Sequence, residues 1–281
     1  MRIDLHLHST ASDGDLAPGD LMRRARAARL DVVALTDHDS AAGVPEAAAV
    51  AEEVGLILVP AAELSSTRDG RDIHILGYGI DPESRAIRNR GRMARRRRRE
   101  RMAEMVDRLR GQGIDVTLAD VEGAAGHERA MIGRPHLARA LVVAGAAASV
   151  NVAFDTLIGD PHPAFVPTDL GSPVEAVEAV VAAGGIPVWA HPPGDQLGGL
   201  LPELVDAGLQ GLEAYRAGWS GRRSRQVHRA ALEHALCVTG GSDWHGPEKG
   251  GTLGEFWVPP RRIRAFLDLL GERVDLPPEA H

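Results

Sequence analysis

The chain has 281 residues, 44% of them hydrophobic and 25% charged, a size and balance that fit one large α/β domain or such a domain carrying an insertion. The net charge of −7 argues against a surface made for polyanions, and no apolar run reaches membrane-spanning length, so a cytoplasmic protein is expected. A single cysteine, Cys237 in the apolar "ALCVTGG", excludes an internal disulfide framework and a Cys-based zinc cluster, and reads as a buried thiol.

In chain order, "DLHLHSTASDGD" comes first. A strand near Arg2–His8 puts His6 and His8 on one face, because side chains alternate with period two, and it runs into a loop carrying Asp13. These residues alone leave two readings open, satisfied core histidines or an edge for a metal ion. A helix over Pro18–Arg29 follows, then a strand over Val32–Thr36 that ends in Asp37-His38-Asp39. Next come a helix over Val44–Val54 closed by Gly55, a strand over Leu56–Pro60 with Glu63 just past it, and a strand over Ile73–Gly77 carrying His74.

From residue 82 to residue 166 the alternation stops and helix follows helix: "RNRGRMARRRRRERMAEMVDRLRG", then Leu118–Ala125, Arg134–Ala144 and Ser149–Leu157. This reads as an α-helical insertion, with residues 1–81 and 167–281 forming the α/β body. The Arg95–Arg101 run is either a solvated helix face or an electrostatic guide for an anionic substrate. Beyond it, "GSPVEAVEAVVAAGG" predicts a helix with Ser172 as N-cap, Pro173 at its first position and Gly184 at its end. Strands over Pro187–Ala190, Leu209–Ala214 and Leu236–Thr239 alternate with helices over Leu200–Ala207 and Arg222–His234. The first of these strands ends at His191, and the last leads into Asp243 and His245.

Six of the twelve histidines thus fall at or near strand ends together with Asp13, Glu63 and Asp243. In (β/α) barrels the active site gathers at the C-terminal ends of the strands. The set His6, His8, Asp13, His38, Glu63, His74, His191, Asp243 and His245 has no sulfur donor; imidazole mixed with carboxylate suits Mn, Fe or Zn. Nine ligands are too many for one ion and fit two or three, with Glu63 placed to bridge. Paired ions clamp an attacking and a leaving oxygen, which is the geometry of phosphoester or amide hydrolysis.

The motifs "DLHLHSTASDGD", "LTDHD", "AAELS" with "DIHILGYG", and "AHP" with "GSDWH" resemble those of the polymerase and histidinol phosphatase (PHP) family. Within it the chain looks most like the stand-alone phosphoesterases of nucleotides, which comprise 3′,5′-bisphosphate phosphatases and 5′–3′ exoribonucleases. The resemblance implies a distorted seven-stranded (β/α) barrel with a helical insertion after the fourth strand. It implies one ion on His6, His8, Glu63 and Asp243, another on Glu63, His74 and His191, and a third on Asp13, His38 and His245. Glu63, Asp243, His191 and His245 would be catalytic, with a hydroxide bridging two ions as nucleophile. Asp13 stands where histidinol phosphatases often have histidine. In "IGRPHLARAL", Arg134 and His136 would hold substrate phosphate, although a plain helix start also accounts for the segment.

The loop "LEAYRAGWSGRRSRQ" departs from many relatives in lacking a histidine; there Trp219 is a candidate for stacking on a base and Arg216 for meeting phosphate. The implied substrates are 3′,5′-bisphosphate nucleotides or the 5′ ends of short RNA. A phosphatase for histidinol phosphate or a nucleoside monophosphate, and a non-catalytic metal- and nucleic-acid-binding module, are the alternatives. Neither a membrane nor a protein partner is implied.

Overall fold

The computed structural model describes residues 1–125 and 131–277. Residues 126–130 of the predicted insertion and the last four residues lie outside them. Two compact units are present. One comprises residues 1–68, 73–91 and 171–281, and the other residues 69–72 and 92–170.

The larger unit is built on a sheet whose strand order follows the chain: β1 (Ile3–Leu7), β2 (Val32–Leu35), β3 (Ile57–Arg68), β4 (Arg71–Tyr78), β5 (Ile186–Trp189), β6 (Gly211–Arg216) and β7 (Cys237–Gly241). Helices α1 (Pro18–Ala27) and α2 (Val44–Val54) connect the first three strands, which are parallel. Helices that follow the insertion likewise connect β5, β6 and β7 in parallel. At the seam, the Asp243 N–H donates to the His6 carbonyl (2.9 Å) and the His8 N–H to the Trp244 carbonyl (3.0 Å), so the sheet nearly closes into a barrel. That approach needs glycine. A Cβ on Gly241 would lie 2.3 Å from His6 Cβ and 2.5 Å from His6 N.

Two expectations change here. The third strand does not stop at Pro60; it runs on to Arg68, so Glu63 sits inside it. Asp69 and Gly70, with φ of 52° and 75°, then reverse the chain in a two-residue turn whose left-handed residues suit a tight hairpin. β4 consequently runs antiparallel to β5. This explains His74, which lies in the first half of its strand and not at its end: in an antiparallel strand, that first half is level with the C-terminal ends of its parallel neighbours. The His74 carbonyl accepts from the Ala190 N–H (3.0 Å), next to His191.

Ile3, Leu5, Leu35, Val59, Ile75, Val188 and Leu212 on these strands are fully buried in one apolar core, to which the helices of this unit contribute. The capping signals act as read. The Ser172 hydroxyl accepts from the Glu175 N–H, the Glu175 carboxylate accepts from the Ser172 N–H, and Gly55 is left-handed after α2.

The smaller unit holds most of α3 (Arg85–Gly111), then α4 (Leu118–Gly123), α5 (Arg134–Val143) and α6 (Val150–Ala153). Beyond α6, where one helix was expected over Ser149–Leu157, the chain passes into a π-helical turn over Phe154–Ile158. This unit has its own apolar core of Met102, Met105, Leu109, Leu137, Leu141 and Ile158. The unit division falls at 92 and 170 instead of 82 and 166. The first turns of α3 belong with the barrel, where buried Arg90 donates to the Ser65 carbonyl (2.8 Å). The arginine run is not a purely solvated face, since Arg97 pairs with Asp169 (2.7 Å), Arg99 with Glu122 (2.8 Å), and Arg101 donates to the Val166 carbonyl (2.7 Å). After the insertion, α7 (Pro173–Ala182), α8 (Leu197–Asp206), α9 (Gly221–Glu233), α10 (Pro247–Gly250) and α11 (Arg264–Leu270) complete the barrel unit. Among the described residues, no helix is long and apolar enough to cross a membrane.

Candidate metal centre

The barrel brings the nine predicted ligands into one cluster around Glu63. Its Oε2 faces His6 Nε2, His8 Nε2 and His38 Nδ1, each at 3.2 Å. Its Oε1 faces His74 Nδ1 (2.9 Å) and His191 Nε2 (3.1 Å). Asp243 Oδ1 lies 3.2 Å from His8 Nε2 and 3.4 Å from His6 Nε2. Asp13 Oδ1 lies 3.3 Å from His245 Nε2 and 4.0 Å from His38 Nε2.

Among the described residues, three groups have donor atoms within 4.8 Å of one another: His6, His8, Glu63 and Asp243; His8, Asp13, His38 and His245; and His38, Glu63 and His74. The first matches the set implied by resemblance. The second adds His8 to the expected trio. The third has His38 where His191 was expected, although His191 still touches the same Glu63 oxygen.

Strained backbone helps aim these groups. Among the described non-glycine residues with positive φ are Asp39 (49°), His191 (31°) and Asp243 (58°). A left-handed non-glycine residue costs on the order of 1–3 kcal/mol and persists where surrounding structure holds it. His191 and Asp243 each follow the last residues of a strand, where that turn points the side chain back over the barrel mouth.

The electrostatics favour a cation. Burial alone would lower the pKa of His6, but Asp243, Glu213 and Glu63 around it raise it well above the ordinary histidine value. His8, also buried, is pushed up to about 9 by Asp243 and Glu63. Burial would raise Glu63, yet His38, His6 and His74 hold it well below the usual carboxylate range. His38 is different: burial and the neighbouring His8 push it down to about 3, so it stays neutral with a lone pair to offer. A site that holds protons on His6 and His8 holds positive charge, and metal ions compete for that place. The donor set fits ions on a second count. His8 Nδ1 and Nε2 and His38 Nδ1 are buried and make no well-aligned hydrogen bond, although the last two lie 3.2 Å from carboxylate oxygens, which leaves these nitrogens free to meet an ion.

Sequence reasoning missed the groups behind the ligands. Glu213, fully buried in β6, accepts from His6 Nδ1–H (2.9 Å) through one oxygen and from the His191 N–H (2.8 Å) through the other. It thereby leaves His6 Nε2 as the free donor atom. Its signal was an acid inside the apolar strand "GLEA", which is a buried charge only if that strand is covered on both faces. Asp4, also buried, accepts from the Ser242 N–H (2.8 Å), and its pKa is pushed up to about 6 by burial. Asp37 accepts from the Ser9 N–H, the Ser9 hydroxyl and the Ser12 hydroxyl, each at 2.7 Å, and so fixes the loop that carries Asp13.

The predicted substrate residues sit as follows. Arg216 is ion-paired to Asp243 Oδ2. Trp219 packs against the barrel core, and the Arg223 guanidinium lies 4.3 Å from its ring centre. In the smaller unit, Arg134 pairs with Asp160 (2.5 Å) and lies over the Phe165 ring (5.1 Å). There His136 Nδ1 accepts from the Gly133 N–H (3.1 Å) at the start of α5.

Residues 4–128 match the PHP domain. The chain is 36% identical over 260 residues to the 3′,5′-nucleoside bisphosphate phosphatase of Chromobacterium violaceum, covering 89% of each. The chain belongs to the PHP family. It is also 35% identical over 251 residues to the 5′-3′ exoribonuclease of Haemophilus influenzae, covering 88% of this chain and 90% of that one. A solved structure from Bifidobacterium adolescentis, provisionally described as a metal-dependent phosphoesterase, superposes with a TM-score of 0.80 at 34% identity, covering 98% of this chain and 97% of that one. This PHP protein is a hydrolase of phosphoric esters, and its His, Asp and Glu clusters are able to bind metal.

Proposed function

We propose that the chain hydrolyses phosphate esters of nucleotides, either 3′,5′-bisphosphate nucleotides or the 5′ ends of short RNA, with two or three divalent ions of Mn, Fe or Zn. The observation that carries this reading is Glu63, whose two oxygens face five imidazoles and so stand between neighbouring donor groups. His6, His8, Glu63 and Asp243 would hold one ion, Glu63, His74 and His191 a second, and Asp13, His38 and His245 a third. When bound, such ions supply Lewis acidity and lower the pKa of water toward neutrality.

The protein's own groups do the rest. Glu213 fixes the tautomer of His6. His245 Nδ1–H donates to the Asp243 carbonyl (3.0 Å), which leaves Nε2 on the Asp13 side. His191 or His245 would hold or deliver a proton at the leaving oxygen only where it is not itself an ion ligand; otherwise that proton would come from water. Arg216 balances charge beside Asp243, and Trp219 stands in the same loop. Arg134 and His136 are assigned to substrate phosphate on their motif alone.

The test is phosphate release from adenosine 3′,5′-bisphosphate by the Mn²⁺-loaded protein, against AMP, histidinol phosphate and a 5′-phosphorylated RNA oligomer. Preference for the bisphosphate, or stepwise shortening of the RNA, supports the proposal. Preference for histidinol phosphate makes the protein a small-metabolite phosphatase. RNA binding without product from any substrate makes it a binding module.

A further inference from the structure

At the end of β6, and reaching the metal-ligand cluster through Arg216, lies a cavity of about 360 Å³, within the size range of small-ligand sites. Its lining is unusual for this chain. Only 4% of the residues are aromatic, yet two of the four tryptophans, one of the two tyrosines and one of the four phenylalanines line this one space. They are Trp219 and Trp257, Tyr215 and Phe256. Three guanidinium side chains, Arg216, Arg225 and Arg262, share the wall, and among the described residues no acidic side chain does. Gly221, the first residue of α9, adds the N-terminal end of a helix, where backbone N–H groups favour an anion.

Trp257 remains 40% exposed, and the Arg2 guanidinium 5.3 Å from its ring centre steadies it. Arg2 in turn is anchored by donation to the Ala28 carbonyl (3.0 Å) and to the Gly254 carbonyl, so the segment that carries Trp257 is tied back to β1. Arg262 lies 5.3 Å from the Tyr215 ring centre. Arg216 links this cavity to the metal-ligand cluster. It lines the cavity while pairing with Asp243, whose other oxygen faces His6 and His8.

We infer that this cavity is a nucleoside subsite, in which Trp257 and Tyr215 take the face of a base and Arg225 and Arg262 take a phosphate other than the one being hydrolysed. This deepens the reading above and rests on it. Aromatic faces bind any base by stacking, whereas guanidinium groups without a carboxylate neighbour select an anion, and a nucleotide carries both. Trp219, the residue singled out in the sequence, has Arg223 against its ring; Trp257 is the more open platform.

The test uses the full chain with Mn²⁺ and calorimetric titration of two hydrolysis-resistant probes, adenosine 5′-phosphorothioate and the base-free ribose 5-phosphorothioate. The adenosine compound is expected to bind at least about tenfold more tightly. Trp257→Ala should weaken it by about 5- to 150-fold, the span that loss of one stacked base gives, with Trp257→Phe restoring most of the loss. Arg262→Gln should weaken adenosine 3′,5′-bisphosphate more than adenosine 5′-phosphorothioate. The preference in kcat/KM for AMP over ribose 5-phosphate should fall in Trp257→Ala by the same factor as binding. Equal binding of both probes to the wild-type protein, or unchanged affinity in Trp257→Ala, overturns the subsite even if nucleotides are hydrolysed. Tight, Trp257-dependent binding with no phosphate released from any nucleotide upholds the subsite and removes the hydrolytic reading.

Discussion

Replacing Glu213 by Gln takes one negative charge and one acceptor from a point where two donors converge. Each carboxylate oxygen accepts one hydrogen bond, from His6 Nδ1–H at 2.9 Å and from the His191 N–H at 2.8 Å, in a fully buried setting. The amide of Gln has one oxygen and one NH₂ group. Whichever way it is turned, one donor meets another donor, and an unmet buried polar group costs about 1–3 kcal/mol. His6 can relieve this by moving its proton to Nε2, but Nε2 is the atom that faces Glu63 and Asp243, so relief removes the lone pair a metal needs. The expected result is a loss of about 10- to 100-fold in affinity for Mn²⁺, or about 1.4–2.7 kcal/mol, which agrees with the hydrogen-bond argument. Chelator competition measures the affinity, and long-range ¹H–¹⁵N spectra report the His6 tautomer. A variant with wild-type metal affinity and wild-type His6 shifts would refute the coupling, whatever its melting temperature.

Gly241→Ala should destabilise by about 1–3 kcal/mol, because its Cβ would meet backbone and Cβ atoms of His6 at 2.3–2.5 Å; a melt that does not move would show that β1 and β7 part easily. In the metal-free protein Asp243 is buried, which opposes ionisation, but His6 and His8 hold its pKa below the usual range. Its stabilising contribution is therefore complete above the ordinary carboxylate pKa and is lost as pH falls through the lower folded value, so chemical denaturation midpoints should drop on acidification below about pH 4 and drop less in Asp243→Asn. Burial pushes the Cys237 thiol up to about 12, and its Sγ–H donates to the Gln210 carbonyl (3.0 Å). Ellman's reagent at pH 8 should find no thiol in the native protein and one after unfolding; rapid native reaction would contradict that burial, and the same shift makes stability fall as pH rises from about 9 toward 12.

The clustering of the nine candidate ligands was legible because metal chemistry restricts residue types and strand periodicity restricts their direction. His6 and His8 on one face, and His38, His191 and Asp243 at strand ends, needed no tertiary information. What the sequence reading lacked was the direction of β4. The hairpin rests on Asp69 and Gly70, a two-residue turn buried in the string "STRDGRDIH", and without it nothing explains why His74, early in its strand, lies level with the residues at the strand ends. The groups behind the ligands were hidden for another reason: Glu213 is identified only once β6 is known to be buried on both faces, and which histidine it orients depends on which strands the barrel brings opposite one another. The cavity lined by Trp257 and Tyr215 combines a loop and a strand some forty residues apart, and no local pattern pairs them. In this fold the candidate ion ligands follow from periodicity, whereas the residues proposed to orient them or to choose substrate follow from closure. Substrate choice is therefore expected to vary among proteins that share the same nine ligands, through positions such as Trp257 and Arg262 that contribute nothing to ligand geometry.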